Sequence, residues 1–107
     1  MQILWIRHGQ TQGNVERRYV GRTDEELTLD SREKLKMRKQ QGIGFAPEVV
    51  YVSPMIRCRE TADLLFPEQK KVPWDGLQET DFGDFEYKNY EELKDDPVYQ
   101  AWIDSNG

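Results

Sequence analysis

Apolar residues fall in short runs separated by polar stretches, and the spacing within each run predicts an element. Residues 2–6 (QILWI) are a continuous β-favouring run, which predicts a short buried strand. The run ends at Arg7-His8-Gly9, a polar turn, after which residues 10–14 start a helix or a tight helical turn. Residues 15–28 are polar and irregular, with Gly21 and Asp24 marking turns. Asp30 or Ser31 is the expected N-cap of a helix reaching about Gln41, stopped by Gly42 and Gly44. Its apolar face is thin, which predicts a surface helix. Residues 48–52 (EVVYV) predict a second strand, and Ser53-Pro54 supplies a cap with proline at the first helical position. In the helix that follows, Met55, Cys58, Ala62, Leu65 and Phe66 recur at helical spacing and form one core-facing stripe, ended by Pro67. A third strand is expected near residues 71–74, then an acidic, glycine-containing loop at 77–86. Helical segments are expected around 90–95 and 98–104. Alternating strands and helices imply a parallel α/β architecture.

Composition narrows the class. A chain of 107 residues is one domain at most, and 36% hydrophobic against 33% charged residues leaves a modest core. Three Trp, five Tyr and four Phe need burial, which excludes a disordered chain. The net charge of −5 argues against nucleic acid or an acidic membrane as partner, because the excess of Lys and Arg is missing. The single cysteine, Cys58, excludes an intrachain disulfide and a cysteine-based zinc cluster. Residues 1–6 are too short for a signal peptide and no apolar run reaches membrane length, so the cytoplasm is the expected compartment.

Three segments carry candidate chemistry. In open α/β sheets ligands bind beyond the carboxyl ends of strands, where Arg7-His8-Gly9 falls. A neutral imidazole there can attack phosphorus, while a guanidinium holds two oxygens bidentately and the following helix start adds backbone donors. Residues 53–62 (SPMIRCRETA) also follow a predicted strand and place Arg57 and Thr61 on one helix face, a second phosphate clamp. In residues 77–85 (LQETDFGDF), Glu79 lies in an aromatic-flanked loop where a carboxyl group can be held protonated as a general acid. Singly, each has a plainer reading. His8 alone is more often a satisfied histidine, Arg57 and Arg59 are solvated beside Glu60 and Asp63, and Glu79 is one acid among 20.

Together these segments resemble the histidine phosphatase superfamily, which includes cofactor-dependent phosphoglycerate mutases and α-ribazole-phosphate phosphatases. Residues 7–14 (RHGQTQGN) look like its opening motif, Gly21-Arg22-Thr23-Asp24 with Leu27-Thr28 like its substrate-side loop, residues 53–62 like its arginine-bearing helix, and residues 77–83 like its proton-donor loop. The resemblance covers essentially the whole chain. It implies a three-layer α/β fold, a mostly parallel sheet flanked by helices. It also implies that His8 accepts the phosphoryl group, that Arg7, Arg57 and Asn14 cradle the oxygens, and that Glu79 protonates the leaving alkoxide. Thr11, Gly21, Arg22 and Thr23 fall in the substrate-binding motifs. Neither metal nor cofactor is implied, and the partner is a small phosphorylated metabolite.

The chain departs from that pattern in two ways. The family adds a second histidine and further strands from a C-terminal half, whereas His8 is the one histidine here. Residues 1–107 are therefore expected to be the N-terminal portion of a single domain without its C-terminal portion, weakly active or inactive alone, and self-associating to cover an open sheet edge. Tyr87 stands where the family often has glycine, which reads as a harmless loop variation. A phosphatase of the α-ribazole-phosphate type is favoured, since the Glu79 loop runs directly into residues 90–93 without room for a mutase-type insertion. A phosphoglycerate mutase and a non-catalytic phosphate- or partner-binding module are the alternatives.

Overall fold

The structure, a computed structural model of the chain, describes residues 3–44, 46–77 and 82–105. In chain order the elements are α1 (Gln12–Val15), α2 (Leu29–Gln41), β1 (Val49–Val52), α3 (Ile56–Leu65), β2 (Lys70–Pro73), α4 (Tyr90–Leu93) and α5 (Pro97–Asp104). Single 3-10 turns lie at Asp75–Leu77 and Gly83–Phe85. β1 and β2 pair in parallel, with Val49 opposite Lys70 and Val52 opposite Pro73. α3 connects them and packs on β1, and α2 packs on α3. This is a partial α/β fold, one βαβ unit with helices around it.

The core has two parts. Val52 of β1 and Met55, Ala62, Leu65 and Phe66 are buried where α3 meets the strands; the last four belong to the stripe the helical spacing predicts, whose fifth member, Cys58, is only half-buried. The second part is aromatic. Tyr19 meets Phe82 at a tilt and Trp102 edge-on, at ring distances of 5.1 and 5.5 Å, and Phe85 meets Tyr99 edge-on at 5.4 Å. The Tyr19 and Tyr99 hydroxyls lie 2.7 Å apart, and residues 18–19 are tied to 87–89 by Tyr87 N–H to Tyr19 O (2.7 Å) and Tyr19 N–H to Lys88 O (2.9 Å). Two small cores in place of one make a loose molecule. The radius of gyration is 16.1 Å, against about 13 Å for a compact domain of this length.

Helix ends follow local chemistry, with shifts from the sequence reading. α2 is capped by Thr28 in place of Asp30 or Ser31, its hydroxyl accepting from Ser31 N–H, and it ends at Gly42 with φ 88°, a left-handed conformation that favours glycine. Its surface placement holds, with Ser31 its one buried residue. α3 begins two residues later than Ser53-Pro54 predicts, with Met55 at the N-cap and no cap from its own side chain. The donor there is satisfied from outside, since Ile56 N–H donates to Asp24 Oδ1 at 2.7 Å. α5 has Asp96 as cap and Pro97 in its first turn.

The N-terminal run differs most. Residues 3–6 join no ladder with the described strands, and their side chains are exposed, Trp5 by 78% and Ile3 by 68%. A strand is buried only when neighbours satisfy its backbone and a layer covers its face. Here an open apolar groove of about 590 Å³ is lined by Ile3, Trp5 and Ile6 together with Val50, Tyr51 and Trp74. The expectation of a buried first strand is therefore not met at residues 3–6, because no described residue fills the space between them and β1; Gln2 lies outside the described residues.

Leu93 is 2% exposed, whereas Leu29 on α2 is 81% exposed. Leu93→Ala is expected to lower stability by about 2–4 kcal/mol in urea denaturation, and Leu29→Ala to change it by less than about 0.5 kcal/mol.

Candidate active site

His8 and Arg57 are brought to the same helix by one hydroxyl. Thr61 Oγ1 accepts from Gly9 N–H at 2.9 Å and donates to Arg57 O at 2.8 Å, which docks the His8-Gly9 turn on α3 one turn beyond Arg57. Gly9 also lies so close to α2 that an added Cβ would sit 2.4 Å from Ser31 Oγ. Ser31 Oγ in turn accepts from Gln10 N–H at 2.8 Å. Only glycine permits that approach. The His8 ring is half-buried, and its Nδ1 lies 2.5 Å from Gly9 O. A carbonyl only accepts, so this contact calls for a proton on Nδ1, and in the neutral ring that tautomer leaves the lone pair on Nε2.

Arg57 is fully buried, the largest such side chain in the molecule's described part. Its Nη1 donates to Thr23 O and its Nη2 to Gly21 O, both at 2.6 Å. The same loop is held on its other side by a carboxylate. Glu86 accepts from Gly21 N–H (3.1 Å), Arg22 N–H (3.1 Å), Thr23 N–H (3.1 Å) and the Thr23 hydroxyl. Burial raises the Glu86 carboxyl, but the four donors outweigh it and leave the group below its ordinary value of 4.5.

Thr11 and Asn14 are engaged in a helix cap. Thr11 is wholly buried, its hydroxyl accepts from Asn14 N–H at 3.3 Å, and its own N–H donates to Asn14 Oδ1 at 3.0 Å. Gly13 N–H donates to Glu25 Oε2 at 3.2 Å. The donors expected at this helix start for an anion are thus largely engaged by the protein itself. Arg7 is exposed and lines the mouth of the apolar groove beside His8. Glu79 lies outside the described residues.

Glu86 and Glu25 have no counterpart among the residues singled out from the sequence, and Glu60 appears there only as a neighbour of Arg57 and Arg59. Glu60 Oε1 accepts from Leu27 N–H at 2.8 Å while Oε2 pairs with Arg32. Their one signal is the acidic loop chemistry around them, which does not say which acid bonds to which amide. Tyr87 has φ 61°, the left-handed region, which is why glycine suits the position. Its hydroxyl donates to Glu25, and that bond, then burial, push it up to about 12. The Arg18 guanidinium lies 5.2 Å over its ring. Among the described residues no group of His, Cys, Asp or Glu assembles as a metal site, and no helix is long and apolar enough to cross a membrane.

The profile of the histidine phosphatase superfamily (branch 1) matches residues 3–107. The chain belongs to the histidine phosphatase superfamily. Within that superfamily it is 32% identical over 101 residues to a 2,3-bisphosphoglycerate-dependent phosphoglycerate mutase of Bradyrhizobium diazoefficiens, covering 86% of this chain and 48% of that protein. It is 30% identical over 108 residues to the adenosylcobalamin/alpha-ribazole phosphatase of Escherichia coli, covering 95% and 52%. Among solved structures of the superfamily, the alpha-ribazole phosphatase of Shigella flexneri superposes with a TM-score of 0.81 at 28% identity, over 92% of this chain and 51% of that one. A phosphoserine phosphatase of Entamoeba histolytica, solved with 3-phosphoglyceric acid, gives 0.78 at 30% identity, over 91% and 49%. The chain spans about half the length of the curated relatives it matches.

A carboxylate held below its ordinary value contributes stability above the unfolded value and loses it as pH falls through the folded one. Glu86→Gln is therefore expected to be less stable than wild type at pH 7 in urea denaturation, with the gap closing below about pH 4.

Proposed function

We propose that this chain carries the phosphoryl-accepting site of a phosphatase for small phosphomonoesters, working through a phosphohistidine at His8. The observation that carries the reading is the His8 ring. Its Nδ1 proton is directed to Gly9 O, and the turn is fixed on the helix that bears Arg57. In the proposed reaction His8 Nε2 attacks phosphorus as the ester P–O bond breaks. Arg7 and Arg57 offset the charge on the transferring oxygens, with Asn14 beside them. The leaving alkoxide takes a proton from the Glu79 carboxyl group. Water then attacks the phosphohistidine, returns a proton to Glu79, and releases phosphate with His8 restored. Thr11, Gly21, Arg22 and Thr23 shape the substrate side. The substrate is a small phosphorylated metabolite met in the cytoplasm, and the net charge of −5 favours no nucleic-acid partner.

The relatives support two chemistries, phosphatase and mutase. We favour the phosphatase of the α-ribazole-phosphate type, because only residues 86–89 separate the Gly83–Phe85 turn from the start of α4 at Tyr90. We read residues 1–107 as the N-terminal portion of one domain, in keeping with a span of about half its relatives' length. A second copy is proposed to cover the apolar groove at residues 3–6 in the chain as it stands, and sedimentation showing only monomer at micromolar concentration would count against that. A non-catalytic phosphate- or partner-binding module is the remaining reading.

Assays of the full chain with an aryl phosphate and with 3-phosphoglycerate separate the three. Release of inorganic phosphate from the first, weak in residues 1–107 alone, without isomerisation of the second is expected. In His8→Ala the release is expected to fall by at least about a thousandfold. Isomerisation would favour the mutase, and unchanged release in His8→Ala would remove the central residue.

A further inference from the structure

The Gly21–Thr23 loop is gripped from two sides by opposite charges. Its carbonyls at Gly21 and Thr23 accept from Arg57, while its three consecutive N–H groups converge on Glu86. A peptide whose carbonyls face a buried cation has its N–H groups turned elsewhere, and those donors need an acceptor of their own. Glu86 supplies it with two oxygens and a full negative charge, and in the peptide that joins Gly21 O to Arg22 N–H it polarises the carbonyl that accepts from the guanidinium. The carboxylate is itself well anchored. It follows the Gly83–Phe85 turn, whose Phe85 packs on Tyr99 and Trp102, and it precedes Tyr87, whose N–H is bonded to Tyr19 O. The aromatic core thus fixes Glu86, Glu86 fixes the loop, and the loop fixes the direction of Arg57.

We propose that Glu86 is a positioning residue for Arg57, setting the guanidinium through the Gly21–Thr23 loop. The proposal rests on the reading of Arg57 as a phosphate clamp. It also changes what the loop does: its backbone donors hold an internal carboxylate, and its contribution to phosphate binding passes through Arg57. The opposite arrangement is a substrate anion that takes the same three N–H groups, with Glu86 as its internal competitor. The two differ in sign.

The test uses the full chain as wild type, Glu86→Gln, Glu86→Asp and Thr23→Val, with inorganic phosphate as probe. NMR of the ligand-free protein reads the Arg57 guanidinium N–H signals, which report restricted rotation, and a phosphate titration then gives affinity. Wild type is expected to show resolved Arg57 signals, and Glu86→Gln to lose them and bind phosphate about tenfold more weakly, on the scale of one charge-assisted hydrogen bond. Glu86→Asp, which keeps the charge, is expected to recover part of both. Thr23→Val, which removes one donor to Glu86 and leaves both carbonyls, is expected to move both readouts in the same direction by less, and it decides the matter if Glu86→Gln does not fold. Unchanged Arg57 signals with affinity within about twofold of wild type would overturn the proposal. Tighter phosphate binding in Glu86→Gln would overturn it in favour of the competitor. If wild type shows no phosphate-dependent shifts, the active-site reading fails on its own, and the ligand-free Arg57 signals still decide whether Glu86 positions it.

Discussion

A guanidinium with no exposed surface, at Arg57, sets the terms for its neighbours. Removing such a charge from water costs several kcal/mol unless hydrogen bonds replace its hydration. Here backbone carbonyls of Gly21 and Thr23 do so, which obliges a polar loop to fold inward onto α3. Each consequence then requires an acid. Glu86 takes the loop's N–H groups, Asp24 takes the first donor of α3, and Glu60 takes Leu27 N–H. An irregular stretch from 21 to 27 is thereby held without any regular secondary structure of its own, and the βαβ unit is joined to the aromatic core through it.

How far the sequence anticipates this depends on the range of the interaction. β1, α3 and the extent of α2 are local, set by β-branched runs and by three-and-four spacing, and they stand within two residues of expectation. Caps are less secure, because an acceptor can come from elsewhere. Ser53 is a good local cap, but the helix starts at Ile56, where Asp24 reaches its N–H from 32 residues away. Residues 3–6 of the N-terminal run form no strand for a related reason: the composition is right, but burial is a property of neighbours, and among the described residues none pairs with them. Glu86 was illegible for want of any local signature. Tyr87 shows the reverse, since the family's glycine there already signals the left-handed backbone that Tyr87 adopts.

The candidate site divides along the same line. His8, Gly9, Arg57 and Thr61 follow from motif and spacing, and Gly9 next to His8 is bonded to Thr61, one turn along α3 from Arg57. Thr11 and Asn14 share the motif but spend much of their bonding on a capping box. Membership of the histidine phosphatase superfamily fits this arrangement.

The groups assigned to the first half-reaction, His8, Arg7, Arg57 and Glu79, all belong to this chain, so transfer to His8 is the step that bears most directly on the account. Brief exposure of the full chain to an aryl phosphate, an alkaline quench and phosphorus NMR would read it. The account predicts a phosphoramidate resonance that disappears on acidification and is absent from His8→Ala. No such resonance, or one that persists in His8→Ala, would contradict it.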